Sequence, residues 1–419
     1  MNVSDSERLG SALEGLGFQA VDLPQDADVI VMNSCVVRQS AEDKVYGMMS
    51  SLKPLKANRP DRIVALMGCM VGPSATALQK RFPYVDLFMR PQEYKPLIDR
   101  LGEQFDMDVE GCLQDLAPMS PSISTYVPII KGCDEFCSFC IIPYRRGRQS
   151  SRPIDEVVRE INLLVNRGVK EVTLLGQTVD AYGHDLDSEV DLADLMYEIN
   201  SIEGLQRVRF LTSHPKYMSD RIIEAVASLP KLCEHINLPF QAGDDQVLQD
   251  MRRGYTSTEY RYLVDKIRNS IPGVSLSTDL IVGFPGETQK QFEASLDLIE
   301  KTQFDKVHVA SYSTREGTIA HRKMKDTVSA EEKKSRMKLV EELQRAVSSE
   351  INRKLDNQIV EVLVEASQDG KWRGRTRTNK LVFFSHEASF LGEIVPVRVT
   401  KTGPWSLSGV VEEEPKVIV

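Results

Sequence analysis

The chain has 419 residues, 41% of them hydrophobic and 27% charged, with a formal net charge of -9 at pH 7. That length exceeds one ordinary core and predicts two or three domains; the composition is that of a water-soluble globular chain, not a disordered or membrane-spanning one. A negative balance excludes a protein that binds polyanions over its whole surface, so any contact with nucleic acid must come from a local basic patch.

The polar opening MNVSDSERLG carries no apolar signal core, which places the chain in the cytoplasm. Seven cysteines in such a chain, an odd number, point to reduced thiols used as ligands or catalysts. Leu9, Ala12, Leu13 and Leu16 recur at helical spacing, and DVIVMN (28–33) then reads as a buried strand. A helical stretch around 40–55 leads to a second strand, RIVALM (62–67). Alternation of this kind predicts a doubly wound parallel α/β domain over 1–102. Cys35 and Cys69 each fall two residues beyond one of these strands, at the sheet edge where sites form in parallel sheets. For either thiol alone, core packing is the competing reading. Cys112 and Cys233 have no such placement and read as ordinary thiols.

Residues 103–118 are polar and aperiodic, as in a linker. From 119 to 350 six strand-like runs begin near 126, 171, 207, 235, 274 and 306, most of them separated by amphipathic helices. Six strand-helix repeats predict a partial (β/α)6 barrel with its site at the carboxyl ends of the strands. After the first run comes KGCDEFCSFCIIPYRRGR (131–148), where Cys133, Cys137 and Cys140 show the spacing C-x3-C-x2-C. Three thiolates packed this closely suit three corners of an iron–sulfur cube and leave one iron open. Structural zinc is the alternative, although a closed zinc site takes four ligands and no fourth Cys or His stands nearby. The turns 175–177, 213–215, 239–241 and 283–286 fall on the same rim.

A charged helical stretch over 323–355 leads to short β-rich runs, read as a small antiparallel β-barrel over 351–415. Within it KWRGRTRTNK carries Lys371, Arg373, Arg375, Arg377 and Lys380 around Trp372, with Phe383 and Phe384 beyond. Interleaved basic and aromatic side chains suit single-stranded RNA; a solvated hairpin is the competing reading.

With these motifs placed, the chain resembles the radical S-adenosylmethionine methylthiotransferase family: an N-terminal methylthiotransferase domain, a radical core and a C-terminal TRAM domain. MNVSDSE, NSCVVRQSAEDKVYG, MGCM, CDEFCSFCIIPYRRGRQSSRP, HINLPFQAGDDQVL, IVGFPGET and GRTRTNKLVFF carry the resemblance over nearly the whole chain. The resemblance implies that Cys133, Cys137 and Cys140 bind a [4Fe–4S] cluster whose open iron takes S-adenosylmethionine. Phe139 would lie near the adenine, and Gly176 and Gln177 near the methionine end. Arg145, Arg146 and Arg152 would meet the carboxylate or tRNA phosphates, or stand as solvated rim charges.

A second [4Fe–4S] cluster would use Cys35 and Cys69. The family pattern GCQMN places its first cysteine and first strand ahead of Met1, so a start codon assigned too late is expected, the alternative being a second cluster held by two cysteines and some other ligand. The implied reaction adds a 2-methylthio group to N6-isopentenyladenosine beside the tRNA anticodon. It consumes one S-adenosylmethionine as methyl donor and one as radical source. The expected partners are the anticodon loop and a reductant such as flavodoxin or ferredoxin, with the chain itself a monomer. Sister enzymes acting on threonylcarbamoyladenosine or on a ribosomal-protein aspartate are the nearest rivals. A non-catalytic RNA-binding protein with a structural metal is the rival from another class.

Overall fold

The computed structural model describes residues 1–34, 39–113, 116–187 and 189–412. Two compact units are present: 1–120 with 131–136 and 140–150, and 121–130 with 137–139 and 151–419.

In the first unit the strands Val29–Ser34, Ile63–Gly68 and Leu87–Met89 form a parallel sheet in that order. The central strand is apolar throughout and buried along its whole length, as a strand covered on both faces must be. Its alternate side chains go to different partners. Ile63, Ala65 and Met67 pack with Leu9 and Ala12 of helix Asn2–Gly15 and with Leu97, Ile98 and Leu101 of helix Lys95–Phe105. Val64 and Leu66 pack with Val45, Met49 and Leu52 of helix Gln39–Asn58. This is the doubly wound arrangement expected. Leu116, expected in a linker, is buried in the first of these clusters, and Ser11 Oγ donates to the Ala117 carbonyl at 2.7 Å.

In the second unit the six expected strands are Ser124–Pro128, Glu171–Leu175, Arg207–Phe210, His235–Asn237, Ser275–Val282 and Lys306–Ser311. They pair in parallel as two three-stranded sheets. Between these sheets the ladder shrinks to one bridge, Val208 with Leu232. Helix Ala330–Arg353 packs on the last two strands and leads into a closed barrel of five strands. Four neighbouring pairs in that barrel are antiparallel and one, Leu381–Ser385 with Leu407–Val411, is parallel. Closing a ring of five strands forces one such pairing, because alternation cannot be completed around an odd number.

The barrel is locked onto the amino ends of the parallel strands. Arg207 and Arg209 are 1% and 4% exposed, and their guanidinium groups donate to carbonyls of the hairpin turn: Arg207 to Arg375 at 2.7 Å, Arg209 to Arg377 and Thr376 at 2.7 Å each. Glu171 pairs with Arg209 at 3.0 Å and accepts from Ser124 Oγ at 2.9 Å. Burial alone would lower the pKa of Arg209; the charge and hydrogen bond of Glu171, together with the nearby Cys233 and Glu365, outweigh it and hold the group above its ordinary value.

A buried ion that loses its partner costs about 3–5 kcal/mol, whereas replacing both partners by apolar groups is often neutral. Arg209→Met is therefore expected to lower stability by about that amount, read from urea midpoints, and Glu171→Leu in the same chain to restore most of it.

Candidate active site

The loop 131–148 is shaped by its glycines and by anchors at several points. Gly132 has φ 66°, and a Cβ there would lie 2.0 Å from the Arg148 carbonyl oxygen, so no other residue fits the turn. The Cys133 amide donates to Gly147 O at 3.2 Å, and Asp134 pairs with Arg148 at 2.7 Å. In the middle of the loop Ser138 is fully buried: its amide donates to Met251 O at 3.0 Å and its hydroxyl to Asp250 O at 2.7 Å. Phe139 packs against the cluster formed by Ala242, Val247, Leu248, Met251 and Phe284.

Cys133 and Cys137 are buried and Cys140 is half-buried, none of them in a disulfide. The Glu135 amide donates to Cys133 Sγ at 3.3 Å, and Arg253 Nη1 donates to Cys137 Sγ at 3.4 Å. Among the described residues no three His, Cys, Asp or Glu side chains stand close enough to share one metal ion. The fit of a multi-iron group therefore rests on donor chemistry: soft thiols with N–H donors aimed at sulfur, the environment in which iron–sulfur ligands are found.

Around the carboxyl ends of the strands lies a buried polar group. A Cβ on Gly176 would meet Ile130 Cγ2 at 2.1 Å, so this position admits only glycine, and Gln177 beside it is half-buried. The Gly176 carbonyl accepts from Thr212 Oγ1 at 2.8 Å. Thr212 itself has φ 67°, a costly conformation for a β-branched residue, and strain of this kind collects at functional turns.

Next to it the His214 amide donates to both oxygens of Asp180, at 2.9 and 2.8 Å. His214 Nδ1 accepts the Lys216 amide at 3.2 Å, so the ring proton sits on Nε2, which is buried and, among the described residues, without a partner, as is the Ser213 hydroxyl. Burial, helped by the charges of Arg253 and Lys216, depresses the His214 pKa to about 2. Burial raises that of Asp180 to about 8, against the stabilising His214 amide.

In the first unit Ser34 pairs with Gly68 at the strand ends, and Cys69 follows directly, buried. Cys35, expected to share a site with it, lies outside the described residues. Arg146 hydrogen-bonds Cys69 and is neutralised by Asp5 at 2.8 Å. Arg152 pairs with Glu160 at 2.7 Å, and the Arg145 carbonyl accepts from Arg90 at 3.2 Å.

Of the six residues expected to meet RNA, three have carboxylate partners. Arg377 pairs with Glu234 at 2.7 Å, Lys380 pairs with Asp305, and Arg375 lies 3.6 Å from Glu365. Trp372 packs into the barrel core, its indole N–H donating to His386 O at 3.2 Å. Lys371 and Arg373 are exposed.

Sequence reasoning found the rim turns but not Asp180 or Arg253. Neither falls in a motif, and a charge outside one reads as solvated.

Residues 127–299 match the radical SAM superfamily, 1–90 the uncharacterized protein family UPF0004 and 353–411 the TRAM domain. The fold is similar to that of the radical S-adenosylmethionine methyltransferase TsrM from Kitasatospora setae, with a TM-score of 0.57 and 13% identity over 88% of this chain and 77% of that one. Taken with the three-cysteine loop on a parallel half-barrel, these matches define the class: a radical SAM protein. More particular is the likeness to two curated enzymes named tRNA-2-methylthio-N(6)-dimethylallyladenosine synthase. The one from Roseiflexus sp. (strain RS-1) is 49% identical over 98% of this chain and 87% of its own length; that from Herpetosiphon aurantiacus is 46% identical over 98% and 94%. The chain belongs to the tRNA-2-methylthio-N(6)-dimethylallyladenosine synthase family.

The buried titratable groups give the site a pH signature. In the unfolded chain Asp180 ionises near 3.8, while in the fold it keeps its proton to about pH 8. The folded state thus holds the extra proton across that window, and the stability it contributes is lost as pH rises through about 8. His214 acts in the opposite direction: below 6.5 the unfolded chain takes up a proton that the fold refuses, so stability falls with pH toward about 2. Asp180→Asn is expected to gain on the wild type by roughly 1 kcal/mol per pH unit between pH 5 and 8, measured as urea midpoints.

Proposed function

We propose that this chain is a tRNA-2-methylthio-N(6)-dimethylallyladenosine synthase, a methylthiotransferase that replaces the hydrogen at C2 of an isopentenylated adenosine by radical chemistry. The observation that carries this reading is the set of three cysteines, none in a disulfide, at C-x3-C-x2-C spacing on the loop after the first strand of a parallel half-barrel, in a chain of this family. Cys133, Cys137 and Cys140 would hold a [4Fe–4S] cluster, with Cys69 and Cys35 among the ligands of a second. When bound, the first cluster with S-adenosylmethionine supplies the 5′-deoxyadenosyl radical.

The protein's part is to orient and exclude water. Phe139 presents an aromatic face from an apolar cluster next to the cysteine loop. Gly176, closely packed against Ile130, and Gln177 beside it would stand at the methionine end. The unpartnered Ser213 hydroxyl and His214 Nε2–H are donors for a polar ligand, because buried polar atoms without partners are rare unless a ligand completes them. His214 remains a neutral donor at working pH, since its pKa lies near 2.

RNA contact is assigned to Lys371 and Arg373. Arg375, Arg377 and Lys380 are engaged within the protein, and Trp372 serves the barrel core. The substrate is a tRNA anticodon loop, whose target base must leave the stack for C2 to be reached. A low-potential flavodoxin or ferredoxin would be the reductant, in a cytoplasmic monomer; no helix among the described residues is long and apolar enough to cross a membrane.

Two experiments test this reading. Anaerobically reconstituted protein given dithionite, S-adenosylmethionine, sulfide and isopentenylated tRNA is expected to release 5′-deoxyadenosine and to yield the 2-methylthio nucleoside by mass spectrometry. Joint replacement of Cys133, Cys137 and Cys140 by Ala abolishes both; one bound zinc and no 5′-deoxyadenosine in the wild type contradicts the reading. In salt titrations of tRNA binding, Lys371→Ala and Arg373→Ala should each reduce the slope of log Kd against log salt by about 1, while Arg377→Ala lowers stability and leaves the slope unchanged.

A further inference from the structure

Arg253 is 5% exposed and, among the described residues, has no carboxylate partner. Its fork is spent on three other groups: Nε donates to Tyr255 Oη at 3.1 Å, Nη2 to Pro239 O at 3.3 Å and Nη1 to Cys137 Sγ at 3.4 Å. Tyr255 is held in turn by its hydroxyl on Phe240 O at 3.0 Å, so the direction of the guanidinium is set from two sides. Of the other buried arginines, Arg146, Arg209 and Arg336 pair with Asp5, Glu171 and Glu287, while Arg62 and Arg207 donate to backbone carbonyls; Arg253 is set apart by spending one arm on a cysteine sulfur. A buried cation without an acid is costly unless some other negative group faces it. Among the described residues the groups that accept from Arg253 are a phenol, a carbonyl and the sulfur of Cys137, itself 6% exposed, and of these the sulfur is the one that would be anionic as a cluster ligand.

Resting on the proposal that Cys137 is a ligand of the radical cluster, we infer that Arg253 is a positioning residue that sets that cluster's reduction potential. Its charge-assisted N–H···S bond offsets the negative charge that one added electron brings to the thiolate-ligated group. Net charge and hydrogen bonds to sulfur are the levers by which a protein moves such potentials, and water is too scarce here to screen them. Removing the guanidinium makes the electron harder to add. The electron itself comes from a low-potential one-electron donor, dithionite in the experiment.

The test uses the full chain carrying Cys69→Ala, so that the radical cluster alone gives the signal, reconstituted anaerobically. The midpoint is read by paramagnetic resonance during titration with dithionite and mediators, alongside iron content. Arg253→Gln is expected to keep its iron and to disfavour reduction about tenfold, a shift of about 59 mV to more negative potential for one electron. Arg253→Lys keeps the charge but loses the fork, and falls between the two. A wild-type midpoint in iron-loaded Arg253→Gln overturns the inference. If that variant loses its iron, Arg253→Lys decides, and a wild-type midpoint there overturns it. Loss of iron in both also overturns it, since tuning presupposes a ligand set that holds without Arg253. A parent chain that takes up no cluster refutes the functional reading itself; a loaded parent whose midpoint ignores Arg253 refutes this inference alone.

Discussion

The structure of the second unit depends on one constraint: parallel strands have two unlike ends, and only one can be left open for chemistry. At the amino ends, Glu171, Arg207 and His235 are the first residues of their strands, and each is buried. Arg207 and Arg209 reach out from there to the carbonyls of the hairpin turn of the small barrel, which therefore acts as a stopper. At the carboxyl ends the chain instead makes strained and glycine-dependent turns, at Gly176, Thr212 and Gly283. Rigidity at one end lets the other carry orphaned polar atoms and strain.

Buried charge is handled differently in the two places. At the closed end every arginine finds a carboxylate or a carbonyl, and the network stabilises the docking of two domains. Near the cysteine loop the charges are left incomplete: Arg253 faces sulfur, Asp180 is held by an amide and kept protonated, and His214 offers an unused donor. Groups so arranged cost stability unless a ligand completes them, which is the usual mark of a site.

Much of this was legible in the residues because the signals were local. Alternating strand and helix periods located two of the three strands of the first unit and all six strands of the second, since burial on both faces demands apolar runs such as IVALM; the three-residue strand Leu87–Met89 was too short to show a period. The loop at 131–148 was legible because three thiols in eight residues have few bland explanations. What escaped were pairings distant in sequence. Arg253 meets Cys137 across 116 positions, and Arg377 meets Glu234 across 143. KWRGRTRTNK therefore looked like one continuous basic surface, although the hairpin turns three of its five charges inward; no pattern within ten residues shows which side of a turn faces a neighbouring domain. The parallel pair in the small barrel escaped for a related reason: it follows from closure of the ring, not from any strand's own sequence.

The central claim is that the polypeptide leaves one iron without a protein ligand so that it binds S-adenosylmethionine directly. Electron–nuclear double resonance of the reduced, reconstituted chain with S-adenosylmethionine labelled at its carboxylate oxygens tests this. The account predicts a hyperfine coupling from the labelled oxygen to the cluster. A reduced cluster present in full yet showing no coupling at saturating S-adenosylmethionine would contradict it.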